Sequence, residues 1–161
     1  MIELLVVIVI LAILGTIAIP NFMASLRREQ LTATSREVVD WLEEARNESL
    51  KEMTSCELLL TLDSSQDMRL EVKTTSPGCS QKQPLIIGAK NPDKMQVSVS
   101  GQEQVTTEIL FSPRGTTSRT HEWILTTQKS SVSHCIRISS PLGLIRLGRL
   151  RANQCDYSQA L

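Results

Sequence analysis

Arg149 and Arg151 stand one residue apart in the stretch GLIRLGRLRANQC. On a β-strand alternate side chains share a face, so the two guanidiniums project together, about 6.6 Å apart, while Leu150 points the other way. Arginine offers a planar fork of donors that matches phosphate oxygens, and two forks at that spacing can meet successive phosphates of a polyanion. Arg146 has the opposite parity and joins them only if Gly148 breaks the register; Gly148 would also admit the close approach of a ligand backbone. The same charges have a structural use, because an edge strand carrying them resists pairing with another chain. Both uses stay open on the pattern alone. Aromatic residues are few (Trp41, Trp123, Tyr157, Phe22 and Phe111), so base stacking would be weak and sequence-independent phosphate contact is the more physical chemistry. Arg114, Arg119 and Lys129 fall in turn-rich segments that would widen such a contact.

Charge distribution points the same way. Residues 111–151 hold seven basic residues against Glu122 alone, a net charge of +6; because the chain totals zero, the remainder carries −6. A sign asymmetry of this kind suits a polyanion or acidic surface as partner for the C-terminal part.

Other chemistry finds little support. His121 and His134 flank different strands, lack the spacing of a triad or of metal ligands, and are expected at the surface. Glu43 and Glu44 are adjacent on a helix and do not face each other. No glycine-rich phosphate loop is present. No enzyme activity, metal or cofactor is expected. Four cysteines, Cys56, Cys79, Cys135 and Cys155, contain no C-x-x-C pair, which argues against zinc or thioredoxin-like sites. Three disulfide pairings are possible. Cys56–Cys79 with Cys135–Cys155 is favoured because each bridge closes a loop of about twenty residues, worth roughly 3 kcal/mol in the chain-entropy model; four buried thiols are the alternative.

These residues need elements to hold them. From Cys56 onward, CELLLTL (56–62), MRLEVK (68–73), QVSVS (96–100), EILFS (108–112), HEWILTT (121–127), SHCIRIS (133–139) and LGLIRLGRL (142–150) read as short strands. Turn-forming stretches such as DSSQD and SPRGTTSR separate them, and the first two strands form a hairpin. Ahead of them, Phe22, Leu26, Ala33, Val38, Leu42, Ala45, Leu50 and Met53 recur at mostly three- to five-residue steps among charged residues. That spacing predicts an amphipathic helix over 21–54 with one buried stripe and a solvated opposite face. Trp41 is expected to pack against the strands. The organisation is thus α+β: a helical segment 1–55 and a β-rich head, 56–161, of antiparallel sheets that cover the stripe.

At the front, Leu4 to Ile19 is almost wholly apolar. Its sixteen residues span about 24 Å as a helix, against about 30 Å for a hydrocarbon core. The flanks do not suit a cleaved secretory signal, and a transmembrane anchor at about 4–19 fits better. Pro20 removes a backbone donor, so a kink or melted turn is expected there. Glu3 is the one charge at this edge: it sits at the headgroups, or a partner's cation meets it.

The stretch IELLVVIVILAILGTIAIPNF resembles the N-terminal segment of type IV pilins and pseudopilins. In that superfamily a prepilin peptidase cuts a basic leader after a glycine and methylates the new N-terminus. A Thr, a Leu, an Ile and a Glu typically follow; Ile2 and Glu3 match the last two, and Met1 falls where the Leu would be. The leader, the cleavage glycine and the first two mature residues are not in this sequence, and an upstream start is expected. The resemblance implies that Glu3 neutralises the N-terminal amine of a neighbouring subunit during assembly. It also implies a pilin fold, bacterial inner-membrane residence before assembly, an extracellular pilus-borne head afterwards, and other pilin subunits as partners.

EILFSPRGTTS, followed by WILTT, CIRIS and GLIRLGRLR, is similar to the GspH/FimT group of minor pilins, with a Phe-x-x-x-Gly turn and a glycine-containing final strand. Members implicated in natural transformation carry a Gly-Arg-x-Arg motif that binds DNA. Gly148, Arg149, Leu150 and Arg151 match it, which implies DNA binding there, with Arg146 a possible extension. Type II secretion pseudopilins of the same group are not expected to need the motif, so a purely structural role that primes or caps a filament is the alternative.

Overall fold

The computed structural model describes residues 2–62, 67–73, 79, 82–87, 95–98, 106–127 and 132–158, without the side chains of 2, 4, 5, 11–21, 95, 96 and 98. One helix, α1 (Ile2–Lys51), precedes nine strands: β1 (Cys56–Leu62), β2 (Met68–Val72), β3 (Leu85–Ile87), β4 (Met95–Ser98), β5 (Thr106–Phe111), β6 (His121–Thr127), β7 (Ser133–Ser139), β8 (Leu144–Arg151) and β9 (Gln154–Asp156). All pairings are antiparallel, in two sheets of order β3-β2-β1-β5 and β4-β6-β7-β8-β9.

The helix continues through Pro20, so no melted turn forms there; a single missing donor interrupts one bond, and the neighbouring turns carry the helix on. Glu52 N–H still reaches Glu48 O at 2.9 Å. Met53 then adopts a left-handed φ of 51° and turns the chain into β1. The helix therefore stops short of the expected Thr54. Among the described residues no helix is long and apolar enough to cross a membrane; the anchor expected at 4–19 falls largely on positions whose side chains lie outside them.

The buried stripe of α1 is Leu31, Ser35, Val38, Leu42, Ala45 and Ser49, with Trp41 at its margin. Of the expected stripe, Val38, Leu42 and Ala45 are buried. Phe22, Ala33, Leu50 and Met53 are exposed. The apolar count went astray because two stripe positions are serines. Ser35 Oγ donates to Leu31 O at 2.7 Å and Ser49 Oγ to Arg46 O at 2.7 Å, so each hydroxyl is satisfied within the helix and a small side chain meets the sheet. Trp41 packs as expected, its indole N–H donating to Gln83 O at 3.0 Å.

Both sheets contribute to one core against this stripe. Leu58, Leu60, Leu70, Ile109 and Phe111 come from the first sheet, and Trp123, Leu125, Ile136 and Ile138 from the second. Each fully buried leucine or isoleucine is worth about 1.5–3 kcal/mol relative to exposure. The alternation of β1, and of β6 from Trp123 onward, buried at every second residue, follows from one face being packed and the other solvated. β3 and β9 were not legible as strands: three residues are too few to show a period.

Arg46 ties the helix to both sheets. Its Nε donates to Gly115 O at 2.8 Å, in the turn after β5, and its Nη2 to Leu142 O at 3.1 Å, in the turn after β7. Hydrogen bonds from a charged donor contribute about 1.5–3 kcal/mol. The two turns touch. A side chain at Gly143, itself at φ +63°, would stand 2.3 Å from Gly115 O, and Thr117 N–H donates to Pro141 O at 3.0 Å. The expected Phe-x-x-x-Gly turn is this feature, with Phe111 in the core and Gly115 at φ +67°.

Candidate functional site

Strand β8 lies between β7 and β9 with an unbroken register: Arg146 faces Arg137, Gly148 faces Cys135, Arg149 faces His134, and on the other side Arg149 faces Asp156 and Arg151 faces Gln154. No bulge occurs at Gly148. Arg149 and Arg151 therefore share a face, as their spacing predicts, and both are exposed. It is the helix-facing side, which Ile145 and Leu147 share. Arg146 is also exposed but lies on the outer side beside Arg137. The structure thus brings Arg149 and Arg151 together and separates Arg146 from them.

β8 turns into β9 through Ala152 and Asn153, both at positive φ (46° and 65°). Two consecutive residues of that kind make the tight turn whose twist suits a two-residue hairpin. The Cys135–Cys155 disulfide, with Cα atoms 6.0 Å apart, crosses beneath β8 from β7 to β9. Cys56–Cys79 closes the other loop, at 5.7 Å. The favoured pairing is the one present.

Gly148 does not leave room for a ligand. A Cβ there would stand 2.5 Å from Asp156 O and 2.7 Å from Tyr157 Cδ1, so the chain's own tail occupies the space. The tyrosine ring lies 5.9 Å from the Arg137 guanidinium, and its hydroxyl donates to Glu122 Oε2 at 3.0 Å. Burial first, and that carboxylate next, push the phenol's pKa up. Arg137 and Tyr157 are the neighbours that sequence reasoning missed. A signal existed for Arg137, which has the outward parity in SHCIRIS; none existed for Tyr157, whose position depends on the hairpin.

His134 is not a surface residue but almost completely buried. In SHCIRIS it shares the parity of Ile136 and Ile138, and that parity carries it inward. Its Nδ1 lies 3.0 Å from Ser35 Oγ. Ser35 spends its only proton on Leu31 O, so the histidine donates to the serine. Burial, then the nearby Arg149, lower its pKa. His121 is partly buried and stacks on Trp123 with centroids 5.9 Å apart.

Asp156 moderates the charge of the hairpin. Its carboxylate accepts from Ser158 Oγ (2.6 Å) and N–H (2.9 Å), and these bonds, with the charge of Arg151, keep its pKa low. No ion pair joins Arg137, Arg146 or Arg149 to a carboxylate among the described residues. Arg114 and Arg119 are exposed in the turn after β5, whereas Lys129 lies outside the described residues. Glu3 is exposed in the first turn of α1, ahead of a solvent-facing run from Val6 to Ile10. Among the described residues no group of His, Cys, Asp and Glu is placed to hold a metal.

No protein-family model matches the chain, and no curated protein matches it. Among solved structures it is similar to the type IV minor pilin FimU of Pseudomonas aeruginosa (strain PAO1) in two crystal forms. In space group P21 the TM-score is 0.53 at 14% identity, covering 81% of this chain and 95% of FimU. In space group P65 the values are 0.52 and 14%, covering 78% and 97%. The long helix, the two antiparallel sheets laid on its C-terminal half and this likeness agree: the chain has the type IV pilin fold.

Proposed function

We propose that the protein is a minor type IV pilin, held in the inner membrane by its N-terminal segment before assembly, that joins a pilus and binds extracellular DNA for uptake in natural transformation. The observation that carries the DNA reading is strand β8. It exposes Arg146, Arg149 and Arg151, and neither Arg146 nor Arg149 is ion-paired to a carboxylate among the described residues. Surface cations left unmatched favour an anionic partner, and phosphate is the anion that arginine forks fit. Contact through phosphates positions the protein without reading sequence. Gly148 serves the strand by packing rather than by touching the ligand.

A second reading has its own support. FimU is described as a minor pilin, and the exposed apolar residues Val6–Ile10, Phe22 and Met23 give the stem a surface for other subunits. On this reading the chain primes or caps a filament, and the arginines form a solvated sheet face. Edge protection is not the use of Arg149 and Arg151, because β9 pairs with them and is itself the edge strand.

A salt titration separates the two. The full chain in a neutral detergent binds duplex DNA with an affinity that falls steeply with salt, and Arg149→Ala/Arg151→Ala reduces the slope of log K against log[salt] by about 2. Equal binding by the double variant and the parent would overturn the site. Assembly is read separately, by recovery of the chain in sheared fibres, which Glu3→Ala is expected to abolish.

A further inference from the structure

The outer face of the second sheet carries three charged residues in a row. By register, Glu122 on β6 lies beside Arg137 on β7, and Arg137 lies beside Arg146 on β8. Two like charges directly opposite each other on neighbouring strands are unfavourable. Glu122 Oε2 accepts from the Tyr157 hydroxyl at 3.0 Å, and no ion pair joins this carboxylate to either arginine among the described residues. The tyrosine ring holds the Arg137 guanidinium at 5.9 Å. Both arginines are exposed, and neither is ion-paired among the described residues.

The device depends on Gly148. Any side chain there meets Asp156 O at 2.5 Å, a backbone atom that cannot swing aside, and the edge of the ring at 2.7–3.0 Å. The Cys135–Cys155 bridge fixes the strand that delivers Tyr157. Two arginines are thus paired across neighbouring strands, the guanidinium of one lying 5.9 Å from a ring whose hydroxyl donates to Glu122. A phosphate group, with several acceptor oxygens and a full negative charge, supplies what this pair lacks.

We propose that Arg137 and Arg146 form a phosphate-binding site, that Tyr157 seated on Gly148 is its positioning residue, and that the site gives the nucleic-acid backbone a second line of contact on the sheet face opposite Arg149 and Arg151. The source of the phosphate rests on the DNA reading above; the site itself does not.

Tyr157 is the only tyrosine in the chain, so its ring NMR signals report on the site in the full chain in neutral detergent. Inorganic pyrophosphate is expected to shift them saturably in the parent and not in Arg137→Gln/Arg146→Gln. Gly148→Ala moves the signals before any anion is added and weakens pyrophosphate binding several-fold; should that variant not fold, Tyr157→Leu keeps the glycine, and the weakening is read from the pyrophosphate response of the arginine side chains. For DNA, Arg137→Gln/Arg146→Gln lowers the salt slope by about 2. A parent that shows no pyrophosphate response, or a response that survives loss of both arginines, overturns the site. A working pyrophosphate site with an unchanged DNA slope overturns its assignment to nucleic acid. If the parent binds no DNA while pyrophosphate behaves as expected, the DNA reading fails and the phosphate site stands.

Discussion

The two sheets share one helix and one core, and each is closed by a disulfide over a similar span, yet they treat surface charge in opposite ways. In the first sheet and its neighbouring loop the cations are matched. Arg69 pairs with Glu71, Lys73 with Glu57 and Glu108, and Lys82, lying over Trp41, with Glu44. In the second sheet Arg137, Arg146 and Arg149 have no such partner among the described residues. A fold that needs only stability has no reason for the difference, because exposed ion pairs contribute little either way. That imbalance is the observation on which the proposed phosphate contacts rest.

Removing the disulfides is the strongest way to break this comparison. The loops span 23 and 20 residues, so replacing either pair by alanine should cost about 3 kcal/mol in denaturant unfolding of the full chain. The functional effects should differ: Cys135→Ala/Cys155→Ala frees β9 and Tyr157 and weakens DNA binding, whereas Cys56→Ala/Cys79→Ala leaves affinity at the parent level. Equal losses of affinity would remove the distinction between the sheets.

A smaller effect follows from the junction of the second sheet with the helix. The pKa of His134 is lowered in the fold from its ordinary value of 6.5, by burial and then by Arg149. The unfolded chain therefore binds more protons below that value, and stability, intact above about pH 6.5, falls as the pH drops through it. His121 shifts in the same direction, by burial and then by Arg119. His134→Gln should accordingly make the decline shallower without abolishing it, measured as unfolding midpoints between about pH 7 and 5. The carboxylates of Asp156 and Glu44 act in a separate window, since their lowered pKa values confine any loss to below their ordinary values of 3.8 and 4.5. A midpoint as steep in the variant as in the parent would show that the buried ring is not the group responsible.

The smallest effect sharpens the comparison from the other side. Arg69→Ala removes a cation that Glu71 already matches, with 53% of the arginine side chain exposed. Stability should change by no more than about 1 kcal/mol, and DNA affinity should stay where it is, in contrast to the arginines of β8.

Much of this was legible before folding because it rests on local periodicity. The alternation in CELLLTL and HEWILTT identified buried strands, and the parity of Arg149 and Arg151 survived because nothing breaks the register of β8. Reading failed where polarity misled. Ser35 and Ser49 sit in the buried stripe of α1, and His134 lies in the core, because each is satisfied by a hydrogen bond that composition does not reveal. Gly148 was misread for a related reason: its role depends on a ring nine residues later.

The sequence by itself determined the longer elements, the two-residue spacing of the arginines and the cysteine spacing that made one pairing favourable, since all three depend on neighbours along the chain. Only the tertiary structure decided which arginines lack a carboxylate, that Arg146 stands with Arg137 rather than with Arg149, and that Tyr157 fills the space over Gly148. Those facts arise from contacts between strands distant in sequence, where register and packing, rather than residue type, set what meets what.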